Sequence, residues 1–324
     1  DVAMQSIAPF LDEAVQSSPS RDIFLSVING IYGDKLAEQG NSLALEMRFI
    51  YQKKALKLDQ ISAEIKQPSS KLMLFIHGLQ MSHHCWDETD TNLSGQMAKQ
   101  LGFTPVYLHY NTGQSIASNG AKLAHQLETL VDNWPTSVSN LTIIGHSMGG
   151  LLARSAYYHG EQENYRWLTV NKTIVSIGTP HNGALLEKGG AVLESLMQRS
   201  PYALPFTRIT KVRSQGIEDL RYGSITNANE KFTPLPTDVE FYAIATVLNK
   251  EPNTIAEQTI GDGLVTLDSA FGQGKEQSHS LSISEKNKWL GYNIGHIDMV
   301  RNAEVFKKIQ QWLKGSINMA QSEC

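Results

Sequence analysis

Five consecutive residues, Gly145-His146-Ser147-Met148-Gly149, carry the strongest chemical signal in the chain. They follow the apolar run Leu141 to Ile144 and lead at once into Leu151-Leu152-Ala153-Arg154, whose pattern is helical. A serine set in a tight turn between a strand and a helix can project its hydroxyl as a nucleophile. Such a turn strains the serine backbone, and side chains two residues before and after it would collide, so glycine is required at both places. An unrelated glycine-rich turn closing a strand is the alternative, and the strand–turn–helix placement argues against it. A neutral serine hydroxyl is a poor nucleophile, so this chemistry also needs a base and a carboxylate to orient that base. It further needs fixed N–H donors for the charge that develops on a carbonyl oxygen. The N–H of Met148, directly after the serine and at a helix start, is one candidate donor.

The elements that must position these groups read as alternating strands and helices. Leu72 to Ile76 is a continuous apolar run, as expected of a strand buried on both faces. Similar runs lie at Thr104 to Leu108, Leu141 to Ile144, Thr173 to Ile177 and Phe241 to Val247, with a shorter one at Ser280 to Ile283. Helical patterns at Ile116 to Val131 and Leu151 to Tyr158 separate them. This alternation predicts an α/β fold with a mostly parallel central sheet and helices on both faces. Leu43 to Leu58 reads as extended, forming two antiparallel strands at the entry to the sheet, with a helix as the alternative for the same stretch. Upstream, Ile7, Phe10, Leu11, Ala14 and Val15 recur at helical spacing until Pro19 interrupts, and a second helix is expected from Asp22 to Ile31, ending near Gly33. Residues 1–40 are thus expected to form an N-terminal helical extension, 41–315 the main domain and 316–324 a tail. Between about 182 and 236 the rhythm breaks for longer than a crossover needs. That insertion is expected to hold a helix from Ala184 to Met197. Val192, Leu193, Leu196, Met197, Tyr202, Leu204 and Phe206 give it an apolar face, which suits either a lid over a site or packing on the body.

The chain resembles the α/β-hydrolase superfamily, specifically its bacterial lipase and carboxylesterase branch, and is similar to GPI inositol-deacylase-like serine esterases. The resemblance rests on the Gly145–Leu151 elbow, on His77-Gly78-Leu79 after the run Leu72 to Ile76, and on Gly261-Asp262-Gly263-Leu264-Val265. Asn111-Thr112-Gly113, Gly178-Thr179-Pro180-His181 and Asp219-Leu220-Arg221-Tyr222-Gly223 extend it, so that it runs from about residue 40 to about residue 300. It implies an α/β-hydrolase fold with a helical lid or cap, and a triad in the order Ser, Asp, His. Of the histidines after Ser147, His159 falls on the helix behind the elbow, His181 follows a strand too early, and His279 is expected to open the last strand. His296, in Gly295-His296-Ile297-Asp298-Met299 before a C-terminal helix at Asn302 to Leu313, sits in the loop where the resemblance places the base. Asp262 is the implied acid, with Asp268 as the nearest rival and Asp298 too close to the base in sequence. Leu79 is the implied second oxyanion donor. The loop runs on as Gln80-Met81-Ser82, where the family often has another glycine. His77, Gly78, Thr179 and His181 are expected to line the substrate cleft.

The resemblance therefore implies a serine carboxylic-ester hydrolase acting through an acyl-enzyme on a small-molecule or lipid ester. The same triad aimed at a thioester, amide or polyester is the alternative, and a non-catalytic lipid-binding relic a further one. No metal and no cofactor are expected. The chain has 324 residues, 41% hydrophobic and 19% charged, with a net charge of −4. That composition excludes dominant disorder, and the scattered Lys and Arg residues argue against a nucleic-acid partner. Dinucleotide binding is excluded because no strand leads into Gly-x-Gly-x-x-Gly. No transmembrane segment is expected, since the longest uncharged run, Asn133 to Ala153, is too polar. Cys85 and Cys324 lack metal-ligand spacing and predict neither a disulfide framework nor a structural zinc site. The first residue is Asp1; sparse cysteine favours the cytoplasm, with export open if a leader was removed. Oligomeric state is not legible.

Overall fold

The eight strands of the sheet alternate their side chains between two apolar layers. A computed structural model describes residues 19–86, 92–184, 214–227, 232–250, 261–274 and 276–322. The strands are β1 (Arg48–Tyr51), β2 (Lys54–Ala55), β3 (Lys71–Ile76), β4 (Thr104–His109), β5 (Asn140–His146), β6 (Asn171–Ile177), β7 (Glu240–Val247) and β8 (Lys288–Tyr292). They are ordered β2-β1-β4-β3-β5-β6-β7-β8. β3 to β8 run parallel, while β1 pairs antiparallel with β2 and β4. The longer helices are α1 (Pro19–Glu38), α2 (Leu93–Gln100), α3 (Ile116–Asp132), α4 (Met148–Gln162), α5 (Gln215–Tyr222) and α6 (Ala303–Ser322).

Period-two alternation decides which helix covers which face. Leu72, Leu74, Ile76, Leu141, Ile143 and Ala243 pack with Leu123, Leu127 and Leu130 of α3 and with Leu152 and Ala156 of α4. Met73, Phe75, Ile144, Val175, Tyr242 and Ile244 point the other way, against Met97 of α2 and Val305, Phe306 and Ile309 of α6. Helices on both faces and a mostly parallel sheet are therefore what the strand runs predicted.

Three local readings change. Helix α1 is described from Pro19 onward. The helix then continues through Gly33 to Glu38. Ser280 to Ile283 is not a strand: Leu281 and Ile283 are buried, but Leu281 N–H bonds back to Gly272 O, and no strand among the described residues pairs with the segment. The last strand is β8, which is half-buried at the sheet edge and so shows no continuous apolar run. His279 lies in the turn Gln277–His279 and opens no strand. The helix expected from Ala184 to Met197 and the apolar residues Val192 to Phe206 lie outside the described residues, as do Ile7 to Val15 and Cys324.

The described part of the insertion, α5, is bound to the body. Ile217 and Leu220 join Leu79, Ile116, Met148, Leu151 and Ile225 in one apolar cluster. Asp219 accepts the Ile116 N–H at 2.7 Å, satisfying a free donor at the start of α3. Burial raises the Asp219 carboxyl above its ordinary value, partly offset by that bond. Gly223 ends α5 in the left-handed conformation, φ 68°. Helix α1 is equally well fixed: Asn29 Nδ2 donates to Leu43 O, Asn111 Nδ2 donates to Gly33 O at 2.9 Å, and Ser214 Oγ donates to Gly30 O at 2.7 Å.

Candidate active site

Ser147 is buried at the join of β5 and α4, with φ 53° and ψ −123°. That region is costly for a side-chain-bearing residue and persists only where its surroundings over-determine it. They do so here through backbone. A Cβ on Gly145 would lie 2.5 Å from the Gly149 carbonyl carbon, and one on Gly149 would lie 2.4 Å from Ile76 O. Ser147 N–H donates to Ile177 O at 2.8 Å. Across the turn, a Cβ on Gly78 would come within 3.0 Å of Ser147 Cβ, so the loop after β3 faces the serine directly.

The loops after β7 and β8 meet beside that turn. His296 Nδ1–H donates to Asp262 Oδ2 at 2.8 Å, and both side chains are almost fully buried. Asp262 Oδ1 accepts the N–H groups of Leu264 and Val265, each at 2.9 Å. These bonds need the tight loop that Gly261 (φ 56°) and Gly263 (φ 95°) permit. With Nδ1 donating, Nε2 is the ring nitrogen left to accept a proton. It makes no hydrogen bond with Ser147 Oγ here; such contacts are often long before a substrate is bound. Gly178 sits between the parts: it follows Ile177, and a Cβ there would lie 3.2 Å from Asp262 Oδ2 and 3.3 Å from His296 Nδ1. The rival acids Asp268 and Asp298 are both exposed.

Among the described residues, neither Leu79 nor Met148 has a hydrogen-bond acceptor for its N–H, and Met148 begins α4, where the first N–H groups lack an intrahelical partner. His77 donates from Nδ1 to Gly78 O at 2.9 Å and stacks on Tyr110 at 4.6 Å between ring centroids. Burial lowers its pKa to about 3, so the ring is neutral. The other two expected cleft residues face elsewhere. Thr179 packs its hydroxyl against Gly150 of α4, where a Cβ would lie 2.0 Å away. His181 is held by Ser176 Oγ at 3.2 Å and Arg154 at 3.4 Å, and burial keeps its pKa well below the ordinary value. His181 lines a pocket of about 470 Å³ with Arg154, Tyr222, Thr233 and Leu281, and Ser147 is not among its lining residues.

One functional-looking contact escaped sequence reasoning. His146 Nε2–H donates to the His296 carbonyl at 2.9 Å, and the two rings lie 4.8 Å apart. Burial holds the His146 pKa far below its ordinary value, leaving a neutral donor that anchors the His296 loop to the elbow. The position between glycine and serine carries no sequence signal for this, because its partner is 150 residues away.

The stretch from 67 to 230, just over half of the chain, matches the family model for the PGAP1-like alpha/beta domain. The chain belongs to the PGAP1-like α/β domain family. Among solved structures it is similar to the Staphylococcus hyicus lipase, at 16% identity with a TM-score of 0.51, over 80% of this chain and 98% of that one. It is also similar to the propeptide form of the Bacillus licheniformis lipase BlEst2, at 19% identity with a TM-score of 0.50, over 76% of this chain and 52% of that one. At these identities the likeness carries the fold, which is that of an α/β hydrolase. No curated protein matches the chain. The PGAP1-like match includes Ser147, Leu79 and Met148, whereas Asp262 and His296 lie beyond it. No helix among the described residues is long and apolar enough to cross a membrane.

Proposed function

We propose that this PGAP1-like chain is a serine carboxylic-ester hydrolase working through an acyl-enzyme. Ser147 Oγ attacks the ester carbonyl while His296 Nε2 takes its proton, and Asp262 holds the ring in the accepting tautomer and stabilises the imidazolium. The N–H groups of Met148 and Leu79 receive the oxyanion, the former at the positive end of α4. His296 then protonates the leaving alcohol, and water repeats the sequence to release the acid. In this reading residues 41–315 form the catalytic domain, with an insertion at about 182–236 whose helix α5 packs beside the oxyanion donors. His77 and Gly78 shape the loop that carries Leu79.

The observation that carries the proposal is the 2.8 Å contact of His296 Nδ1 with Asp262 Oδ2, buried beside a serine held at φ 53°. A structural turn has no need of that strain. The test is hydrolysis of p-nitrophenyl esters from short to long acyl chains by wild type and by Ser147→Ala. Turnover that vanishes in the variant supports the reading, and the best chain length sorts esterase from lipase. Ester hydrolysis that survives Ser147→Ala would overturn it.

A further inference from the structure

The loop after β3 carries a second constellation, beyond the serine. Asp22 in the first turn of α1 and the adjacent His83 and His84 present one oxygen and two ring nitrogens, all within 4.8 Å of one another. His84 Nε2 lies 3.2 Å from Asp22 Oδ2, 62 positions away in sequence. The His83 and His84 rings are 4.0 Å apart. Behind them His109, the last residue of β4, brings its Nδ1 to 3.4 Å from His83 Nδ1. Two ring nitrogens in contact need a single proton between them, so one ring donates and the other accepts. When His83 is the donor, its Nε2 carries a free lone pair. His83 is buried, whereas Asp22 and His84 are half-buried, so the cluster opens toward water on one side.

We propose that Asp22, His83 and His84 form a binding site for a divalent transition metal of the zinc class, with His109 orienting His83 from behind. Two imidazoles and one carboxylate form a donor set that suits zinc, whereas calcium and magnesium call for oxygen. Ligand bonds of about 2.0–2.2 Å in tetrahedral geometry place ligand atoms roughly 3.3 Å apart. The Asp22–His84 pair already has that spacing, and rotamer-scale motion of His83 closes the set. Three protein ligands leave the fourth position to water from the open side. An ordinary Asp22–His84 ion pair would account for two of these groups and leave the convergence of His83 unexplained. Arg48 is the cation whose charge reaches His83 and opposes binding. The expectation that no metal binds came from cysteine spacing and the lack of an acidic cluster, and could not register ligands joined only by the packing of α1. A bound ion would clamp α1 to the loop that carries Leu79, a residue four positions before His83.

The test uses the full chain, stripped of metal by chelator and then titrated with zinc by calorimetry and with cobalt(II) by visible absorption. The expected result is one equivalent bound, with tetrahedral cobalt bands. Affinity should fall more than ~100-fold in Asp22→Asn and His84→Gln, and by roughly 10–100-fold in His109→Gln, as for outer-shell partners. His279→Gln, at a surface histidine paired with Glu276, should leave it unchanged. Circular dichroism checks that each variant folds, and zinc should raise the unfolding midpoint of wild type but not of His84→Gln. No saturable binding by wild type would overturn the proposal and leave the cluster an ion pair. So would binding undiminished in His84→Gln. Neither readout involves ester turnover, so this inference can fail while the hydrolase reading stands, and the reverse.

Discussion

Ser147 and the Leu79 loop face each other across the ends of adjacent strands β5 and β3, yet they are held in place by different means. The serine turn is backbone against backbone. Gly145 touches Gly149, Gly149 touches Ile76 and His77, and the Ser147 N–H is bonded to β6. The opposing loop is held by side chains recruited from elsewhere. Tyr110 OH donates to His77 O at 2.9 Å, Thr112 Oγ1 accepts the Gln80 N–H at 3.2 Å, and Gly30 of α1 packs against Gln80. Gln80 itself holds φ 59°, a conformation in which a glycine would be easier. The first side is written in five consecutive residues, and the second is spread over some eighty positions of sequence. A local motif can reveal the first and is blind to most of the second.

The largest effect should come from a change that leaves both sides standing. In Asp262→Asn, Oδ1 can still accept from Leu264 and Val265, so the new amide turns its NH₂ toward His296 Nδ1. That ring must then carry its proton on Nε2, where it cannot take one from Ser147. We expect kcat to fall on the order of 10⁴-fold with the unfolding midpoint nearly unchanged. Asp268→Asn, at an exposed position, should leave kcat within about twofold of wild type, because surface changes away from the reacting groups cost little. A loss of similar size in both variants would remove Asp262 from its proposed role.

The backbone side should break next. In Gly149→Ala the new Cβ has no flexible neighbour to displace, only Ile76 O at 2.4 Å and His77 O at 2.9 Å. Overpacking against fixed backbone should cost about 3 kcal/mol, read as a drop in the urea midpoint at constant slope. A midpoint within experimental error of wild type would show that the turn is looser than its contacts imply.

The same contrast explains what could be read from sequence. The central strands were legible because β3, β5 and β6 are buried on both faces and therefore continuously apolar. β8 was not, since Lys288, Trp289 and Leu290 are half-buried at the sheet edge while Ser280 to Ile283 shows the better alternation without a strand partner. Asp262 could be picked out through the resemblance of Gly261–Val265 to a family segment, and the carboxylate bonded to the N–H groups two and three residues on gives a physical reason for the glycines around it. The structure joins it to His296, the histidine also picked out, and leaves Asp268 and Asp298 in solvent. His146, Gln80 and the Asp22–His83–His84 cluster were illegible for one shared reason: each acts through a partner that tertiary packing alone supplies. Thr179 and His181 show the converse, where a familiar segment marks a place near the site and its side chains turn into the body.

Acid should weaken both sides alike, which makes it a control on the comparison. His77 on the loop and His146 on the turn are buried and neutral, with pKa lowered to about 3 and far below normal respectively. In the unfolded chain each takes up its proton near the ordinary value of about 6.5. The unfolded state therefore binds more protons as pH falls from about 6.5 toward 3, and stability declines over that window. Each histidine adds up to about 1.4 kcal/mol per pH unit to the slope. Urea midpoints measured from pH 7 to pH 4 should fall steadily, and His77→Gln should flatten the curve. A flat wild-type curve would mean that these rings gain protons in the folded state without penalty.

The smallest expected effect tests the distributed side alone. Gly30→Ala places a methyl in the middle of α1, where alanine is favoured over glycine by about 1 kcal/mol. That methyl would lie 2.3 Å from Gln80 Cγ and 3.2 Å from Gln80 Cα, so the loop must give way. The helix gain offsets the clash, and the unfolding midpoint should hardly move. The displaced N–H of Leu79 should nevertheless lower kcat on esters by about tenfold, since small misplacements of positioning groups carry costs of this order. Adding Gln80→Gly removes the Cγ and suits the positive φ, and should restore most of the rate. If Gly30→Ala hydrolyses esters at the wild-type rate, α1 does not set the loop, and both sides of the cleft are local structures after all.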